Sequence, residues 1–246
     1  MTSLDRPGND AATALGDPAR LAATARAVLS CPAGVDLVVD GVDGLGGLDG
    51  VCMQDLGGVP TFSCPGGSTP VVDAATSGRR ALLTLASGLG PTGSSERDTV
   101  LTLGGRLERR GEVDCDCCRE TRQTVVLVVD VVVLTRPLTG ERVQLDVDLF
   151  GSSDHLLNRG FLQRSADHAN LSHQDELRRA VATAFSGTRL AEVVGVHLAD
   201  LSPAGVEVRW VDPHGAHQQR LDFTRVATSP DELGDLLREG LHAGLC

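Results

Sequence analysis

Residues 165–185, SADHANLSHQDELRRAVATAF, place two imidazoles and a carboxamide close together, at His168, Asn170 and His173. A neutral imidazole serves both as an iron ligand and as an acid/base group near neutral pH. His168 and His173 are five apart, whereas two ligands on one helical face need i, i+4 spacing, so on an unbroken helix they do not make a metal pair by themselves. A structural use is the first expectation. Asn170 and His173 could tie a helix to a sheet through buried hydrogen bonds, because a buried polar group left unpaired costs about 1–3 kcal/mol.

Cys115, Cys117 and Cys118 form a second cluster, in EVDCDCCRE. Their spacing departs from the C-x₂₋₄-C pairs of tetrahedral zinc sites, and a complete metal site would need Cys52, Cys64, a histidine or another subunit. A loop with incidental thiols is expected. His214 and His217 bracket a turn in DPHGAHQQR, where they could grip a metal or the propionates of a haem. His242 lies near the end of the last helix, where the helix dipole favours a cation by about 0.3–1 kcal/mol. Arg79, Arg80 and Arg106 offer the bidentate donors that a phosphate needs. No Walker loop, G-x-S-x-G elbow or H-E-x-x-H helix occurs, which removes the usual sequence support for kinase and hydrolase chemistry.

The elements that must position these residues fall into two groups. Residues 1–16 read as a polar tail, and Asp17 caps a short helix that opens with Pro18. From residue 35 to 150, VDLVVDGV, VPTFSC, ALLTLA, TVLTLGGRLE, TVVLVVDVVVL and RVQLDVD are about six strands punctuated by DGLGGLDG and CPGGSTP. Short strands without long intervening helices indicate a barrel or sandwich. Both faces of TVVLVVDVVVL are apolar, which suits a strand covered on both sides by a barrel interior and a subunit interface; Asp130 within it should pair with an arginine or sit at that seam.

After residue 160 the period changes. Leu177, Ala180, Val181, Ala184 and Phe185 make a helical stripe. That helix either runs unbroken from Ala166 to Phe185 or starts at His173 under a Ser172 cap, with DHAN as a turn. Val194, Val196 and Leu198 then alternate with His197 on a strand, GVEVRWV and HQQRLDFTRV form a hairpin, and Ser229, Pro230 and Glu232 open a final amphipathic helix. The expected fold is α+β: a split-barrel domain over 17–158 and a helix-strand-strand-strand-helix domain over 159–246.

The 246 residues include 22 arginines but no lysine or tyrosine, and the formal net charge is -11. Such a chain disfavours non-specific contact with nucleic acid or anionic membrane. No segment approaches the roughly 20 apolar residues of a membrane span. The N-terminus lacks the basic start and apolar stretch of a signal peptide, so a cytosolic location with reduced thiols is expected.

The order of elements, DHANLSHQDEL, VHLADLSPAGVEVRWVDPHG with RLDFTRVATSPDEL, and TVVLVVDVVVLTRPLTGERVQLDVDLF together resemble the pyridoxamine 5'-phosphate oxidase-like split-barrel family, in its haem-utilisation (HugZ-like) branch. In DHANLSHQDEL, Ser172 stands where that branch usually has Asp. The resemblance implies a homodimer holding haem or flavin mononucleotide (FMN) at the subunit junction, with His173 or His168 as iron ligand and His242 as a further candidate from a C-terminal loop. It leaves open a haem-degrading oxygenase, a haem carrier or sensor, a flavin oxidoreductase, and a cofactor-free dimeric binding or regulatory module. The segment STPVVDAATSGRRALLTL keeps Ser68 but lacks the family's His-x-x-Asn-Leu, which favours the cofactor-free alternative.

Overall fold

The structure, a computed structural model, describes residues 17–42, 50–67, 69–114, 120–136, 139–184 and 189–241. The chain forms two compact units, Met1–Ser152 and Ser153–Cys246. In the first, α1 (Pro18–Ser30) precedes β1 (Pro32–Val39), β2 (Cys52–Leu56), β3 (Val59–Pro65), α2 (Pro70–Thr76), β4 (Arg80–Ser87), β5 (Val100–Asp114), β6 (Thr121–Thr135), β7 (Arg142–Leu145) and α3 (Val147–Phe150). Six strands form a curled, open split-barrel sheet in the order β1-β4-β5-β6-β3-β2, and β7 pairs beside them on β6. All the pairings are antiparallel. The fold is therefore α+β, with two departures from the sequence reading: β2 and α2 lie in segments read as punctuation or connection, and RVQLDVD is a four-residue strand running into a helix.

The core of this unit is the concave side of the sheet. Leu37, Val39, Phe62, Leu83, Leu85, Leu101, Leu103, Val125, Leu127, Val132 and Leu134 are buried there, and α1 adds Leu21, Ala25, Val28 and Leu29. In β6 the inward residues change from odd to even numbers because a bulge inserts Asp130 opposite Gly104 and Gly105. A Cβ at Gly105 would collide with the Val128 carbonyl, so only glycine fits the bulge. The extra residue turns outward, and Asp130 meets Arg80 at 2.9 Å, the arginine pairing expected of it.

The second cover expected for β6 is not supplied by the described residues of this unit. On the outer face Val38, Leu82, Gly104 and Val131 are successive register partners across β1, β4, β5 and β6. Val38 is 56% exposed, Leu82 46% and Val131 37%.

One polar tie runs through the apolar core. Arg26 on α1 is 1% exposed. Its Nη1 donates to the carbonyls of Phe150 (3.1 Å) and Ser152 (3.4 Å), and Nη2 reaches Asp55 Oδ2 at 3.4 Å. Asp55 also accepts from Ser30 Oγ (2.5 Å) and from the Gly58 amide (2.6 Å). Gly58 has φ 98°, and a Cβ there would stand 2.7 Å from Arg26 Nη1. One ion pair thus joins α1, the β2–β3 turn and the end of α3.

In the second unit, α4 (Arg159–Ser172), α5 (Gln174–Ala184) and α6 (Pro230–Leu241) accompany an antiparallel sheet of β8 (Gly195–Ser202), β9 (Gly205–Asp212) and β10 (Gly215–Asp222). Leu177, Ala180 and Val181 pack on Val196, Leu198, Val206, Val208 and Trp210. Val194, expected on that face, precedes the strand and is 65% exposed. Glu232 on α6 accepts from Arg225 Nε (2.6 Å) and from the amide and hydroxyl of Thr228 (2.8 Å each), so the return bond of the expected capping box goes to Thr228 rather than Ser229. The Arg225 guanidinium and then the Thr228 donors hold the Glu232 carboxyl down at about 2.

Removing one member of a buried ion pair leaves a charge without compensation and costs about 3–5 kcal/mol. Arg26→Ala is expected to lose about that much in urea unfolding, whereas Arg80→Ala, whose pair is exposed, should lose no more than about 1 kcal/mol. Equal losses in the two variants would contradict the assignment.

Candidate functional site

Strand β8 lies at the edge of its sheet, with one row of backbone groups turned away from β9. Three side chains spaced four residues apart close that edge. Asn170 accepts from the Leu198 amide (2.7 Å) and donates to the Leu198 carbonyl (2.9 Å). Gln174 does the same for Val196, accepting at 3.3 Å and donating at 2.7 Å, and Arg178 Nη2 donates to the Val194 carbonyl at 2.7 Å. The periods agree: four helical residues rise about 6 Å, and two strand residues advance about 6.6 Å. Asn170 and Gln174 therefore imitate a neighbouring strand. Of the two ties expected, Asn170 makes its own, His173 makes none to the sheet among the described residues, and Gln174, which shares the ladder, was missed.

Neither sequence alternative for the helix holds. The chain is helical from Arg159 to Ser172, including DHAN, then breaks at His173 (φ -124°, ψ 33°). The His173 amide still closes α4 on the Ala169 carbonyl, while its own carbonyl accepts from Leu177 and opens α5. The break brings His168 and His173 together despite their spacing. Their Nε2 atoms are 3.3 Å apart, with ring centroids at 5.1 Å and planes at 79°. Ser172 Oγ is 3.5 Å from His168 Nδ1.

A cavity of about 580 Å³ opens on the three-stranded sheet, within the roughly 300–1,000 Å³ of small-molecule and cofactor sites. Val194, Val196, Val211 and Trp210 give it apolar walls, and His197, Arg209 and His217 line it as well. Neither His168 nor His173 belongs to its lining. Trp210 and His217 stack at 5.1 Å and 17°. His217 Nε2 lies 2.8 Å from Asp212 Oδ1, which also accepts from the His214 amide at 2.8 Å. The hydrogen bond from His217, then the His214 amide, keep the Asp212 carboxyl below its usual range against the opposing effect of burial. His197 has no hydrogen-bond partner among the described residues, and Arg209 is shared with Glu207. The sequence showed His197 on the outward face of its strand and His217 at the turn; it gave no sign that Arg209 stands beside His197 or that Trp210 and Asp212 meet His217.

The three barrel arginines are not assembled into an anion site. Arg79 donates to the Asp40 carbonyl (2.9 Å), Arg80 pairs with Asp130, and Arg106 pairs with Glu108 (2.5 Å). Each guanidinium has a protein acceptor, and the three do not converge on a common point. Cys115, Cys117, Cys118, His242 and Ser68 lie outside the described residues. Among the described residues no group of three or more His, Cys, Asp or Glu side chains could hold a metal ion, and Cys31, Cys52 and Cys64 are not in disulfides. Burial pushes the Cys64 thiol up, against the lowering effects of Arg122 and Thr69.

No known family description matches the chain, and no curated protein does. Among solved structures it is similar to a heme binding protein from Mycobacterium smegmatis, at 17% identity and TM-score 0.39 over 97% of this chain and 98% of that one. It is also similar to the protein Atu2129, of unknown function, from Agrobacterium tumefaciens str. C58, at 18% identity and TM-score 0.37 over 89% and 94%. Among the described residues no helix is long and apolar enough to cross a membrane.

If the amide ladder closes the β8 edge, Asn170→Ala and Gln174→Ala should each cost about 1–3 kcal/mol, the penalty for stranding polar groups. Hydrogen exchange should speed selectively at the Leu198 amide in the first variant and at Val196 in the second. Uniform exchange across the sheet would show a different role.

Proposed function

We propose that this chain is a tetrapyrrole-binding split-barrel protein, taking haem in the cavity of its second unit. The observation that carries the reading is the composition of that cavity: apolar walls from valines and Trp210, an imidazole at His197 with no hydrogen-bond partner among the described residues, and a guanidinium at Arg209. A haem presents a flat apolar ring, an iron that accepts imidazole, and two propionates. His197 would supply the ligand, and Arg209, its register partner, would meet a propionate in place of Glu207, while the Trp210–His217 stack, held by Asp212 on the other face of the sheet, would keep the two strands rigid. Bound iron would supply the redox or oxygen chemistry; these residues would bind, orient and shield it. The branch resemblance in DHANLSHQDEL points the same way for the ligand class but names His173, His168 or His242 as the iron ligand.

Addition of hemin to the purified chain is expected to give a sharp Soret band saturating at one equivalent. His197→Ala should weaken binding and shift the band, while His173→Ala and His242→Ala should leave it unchanged. Loss of the band in His173→Ala or His242→Ala alone would move the ligand to the residue that the resemblance implies. No band at micromolar hemin would end the tetrapyrrole reading.

We further propose that the chain pairs with a second copy through the outer face of the barrel sheet, where Val38, Leu82 and Val131 lie exposed in one row that crosses the buried Gly104. Contiguous apolar surface of this kind is costly in water and marks contact sites. Sedimentation equilibrium should give twice the chain mass, and Leu82→Asp should give a folded single chain. A wild-type monomer at micromolar concentration would exclude this face as a stable interface.

A further inference from the structure

The geometry points to a second site, separate from the cavity: His168 and His173 together form a two-imidazole seat for a divalent transition ion of the zinc class. Two nitrogens bound to one tetrahedral zinc at about 2.0–2.1 Å stand about 3.3–3.4 Å from each other. The two Nε2 atoms are 3.3 Å apart. That distance is long for a direct N–H hydrogen bond, whose donor and acceptor prefer roughly 2.7–3.2 Å.

The surroundings support the same use. His168 is held on the last turns of α4, and His173 is the break residue between two helices. Asn170 and Gln174 pin the backbone between and beside them to β8, so the seat is formed before any ion arrives. Ser172 Oγ stands 3.5 Å from His168 Nδ1, so the ring's other nitrogen has a polar neighbour one helical turn away. The pair faces solvent, so an ion can reach it, and two water molecules would complete a tetrahedron. Neutral imidazole suits zinc, copper and nickel, which sets the class of ion.

The test is a zinc titration of the full-length chain carrying Cys115→Ser, Cys117→Ser and Cys118→Ser, against a chromophoric zinc indicator. Histidine ring nitrogens are followed in parallel by ¹⁵N NMR. The expected result is zinc binding in the micromolar range, with the Nε2 resonances of His168 and His173 shifting together while that of His197 stays in place. His168→Gln and His173→Gln should each weaken the binding by at least about tenfold, or 1.4 kcal/mol, with circular dichroism unchanged. If zinc leaves both Nε2 resonances of the parent chain in place, or binds equally well to the double variant, the site does not exist. The NMR arm decides the matter even if a glutamine variant misfolds, and none of these outcomes depends on whether hemin binds elsewhere.

Discussion

The free edge of β8 is the constraint around which the second unit is arranged. A strand edge with unmet amides and carbonyls must find partners or remain open to another chain. Here the partners are side chains from two helices, in a ladder whose period matches two strand residues to four helical ones. The ladder crosses the break at His173, with Asn170 on one side and Gln174 and Arg178 on the other. A continuous helix would rotate smoothly past the strand. A broken one can keep successive side chains aimed at it. The break is therefore tied to the edge, and the meeting of His168 with His173 follows from the break. The same ladder fixes Val194 and Val196, two walls of the cavity.

The first unit uses a buried charge where the second uses amides. Arg26 and Asp55 satisfy two carbonyls, a hydroxyl and an amide between them, so most of the pair's hydrogen-bonding capacity is used inside the core. Burying two charges is costly, and well-packed apolar residues in the same space are often as stable. What the pair adds is position. Asp55 receives Gly58 of the β2–β3 turn and Ser30 of α1, so the turn can dock against only one part of that helix. Phe150, whose ring lies 5.7 Å from the guanidinium carbon, fixes the end of α3 to the same point.

Much of the barrel was legible because its central strands are long Val- and Leu-rich runs between glycines, and the alternation of burial in β4 follows directly. β2 was not legible: CMQDL is short and mixed, and its partner β3 is recognisable without it. α2 was hidden because Thr69 and Pro70, which begin the helix, also suit a turn. The split of the His/Asn/His helix was beyond sequence reading. The apolar stripe at Leu177, Ala180 and Val181 is the same for one helix or two, and the break depends on bonds to a strand more than twenty residues away. Asn170 was readable as a structural residue because its amide needs partners wherever it is buried. The cavity residues were not, since Trp210, Asp212 and His217 meet only through the hairpin register.

The β6 bulge shows how one residue can alter the meaning of an apolar run. Without it, the alternation of TVVLVVDVVVL would place Asp130 on the same face as Val132 and Leu134, which are buried. The extra residue flips the parity, keeps valines and leucines inward on both sides, and carries the carboxylate outward to Arg80. The outer row from Val38 to Val131 is consequently bordered by an ion pair instead of continuing as apolar surface. An exposed pair of this kind contributes about 0–1 kcal/mol to stability, so its weight lies elsewhere. Any partner laid on that row must leave the pair at the wet margin or meet each of its hydrogen bonds, because covering it without partners costs more than the apolar contact returns. That requirement limits the placements a second copy can take, and it makes the charge in the strand a determinant of register rather than of strength.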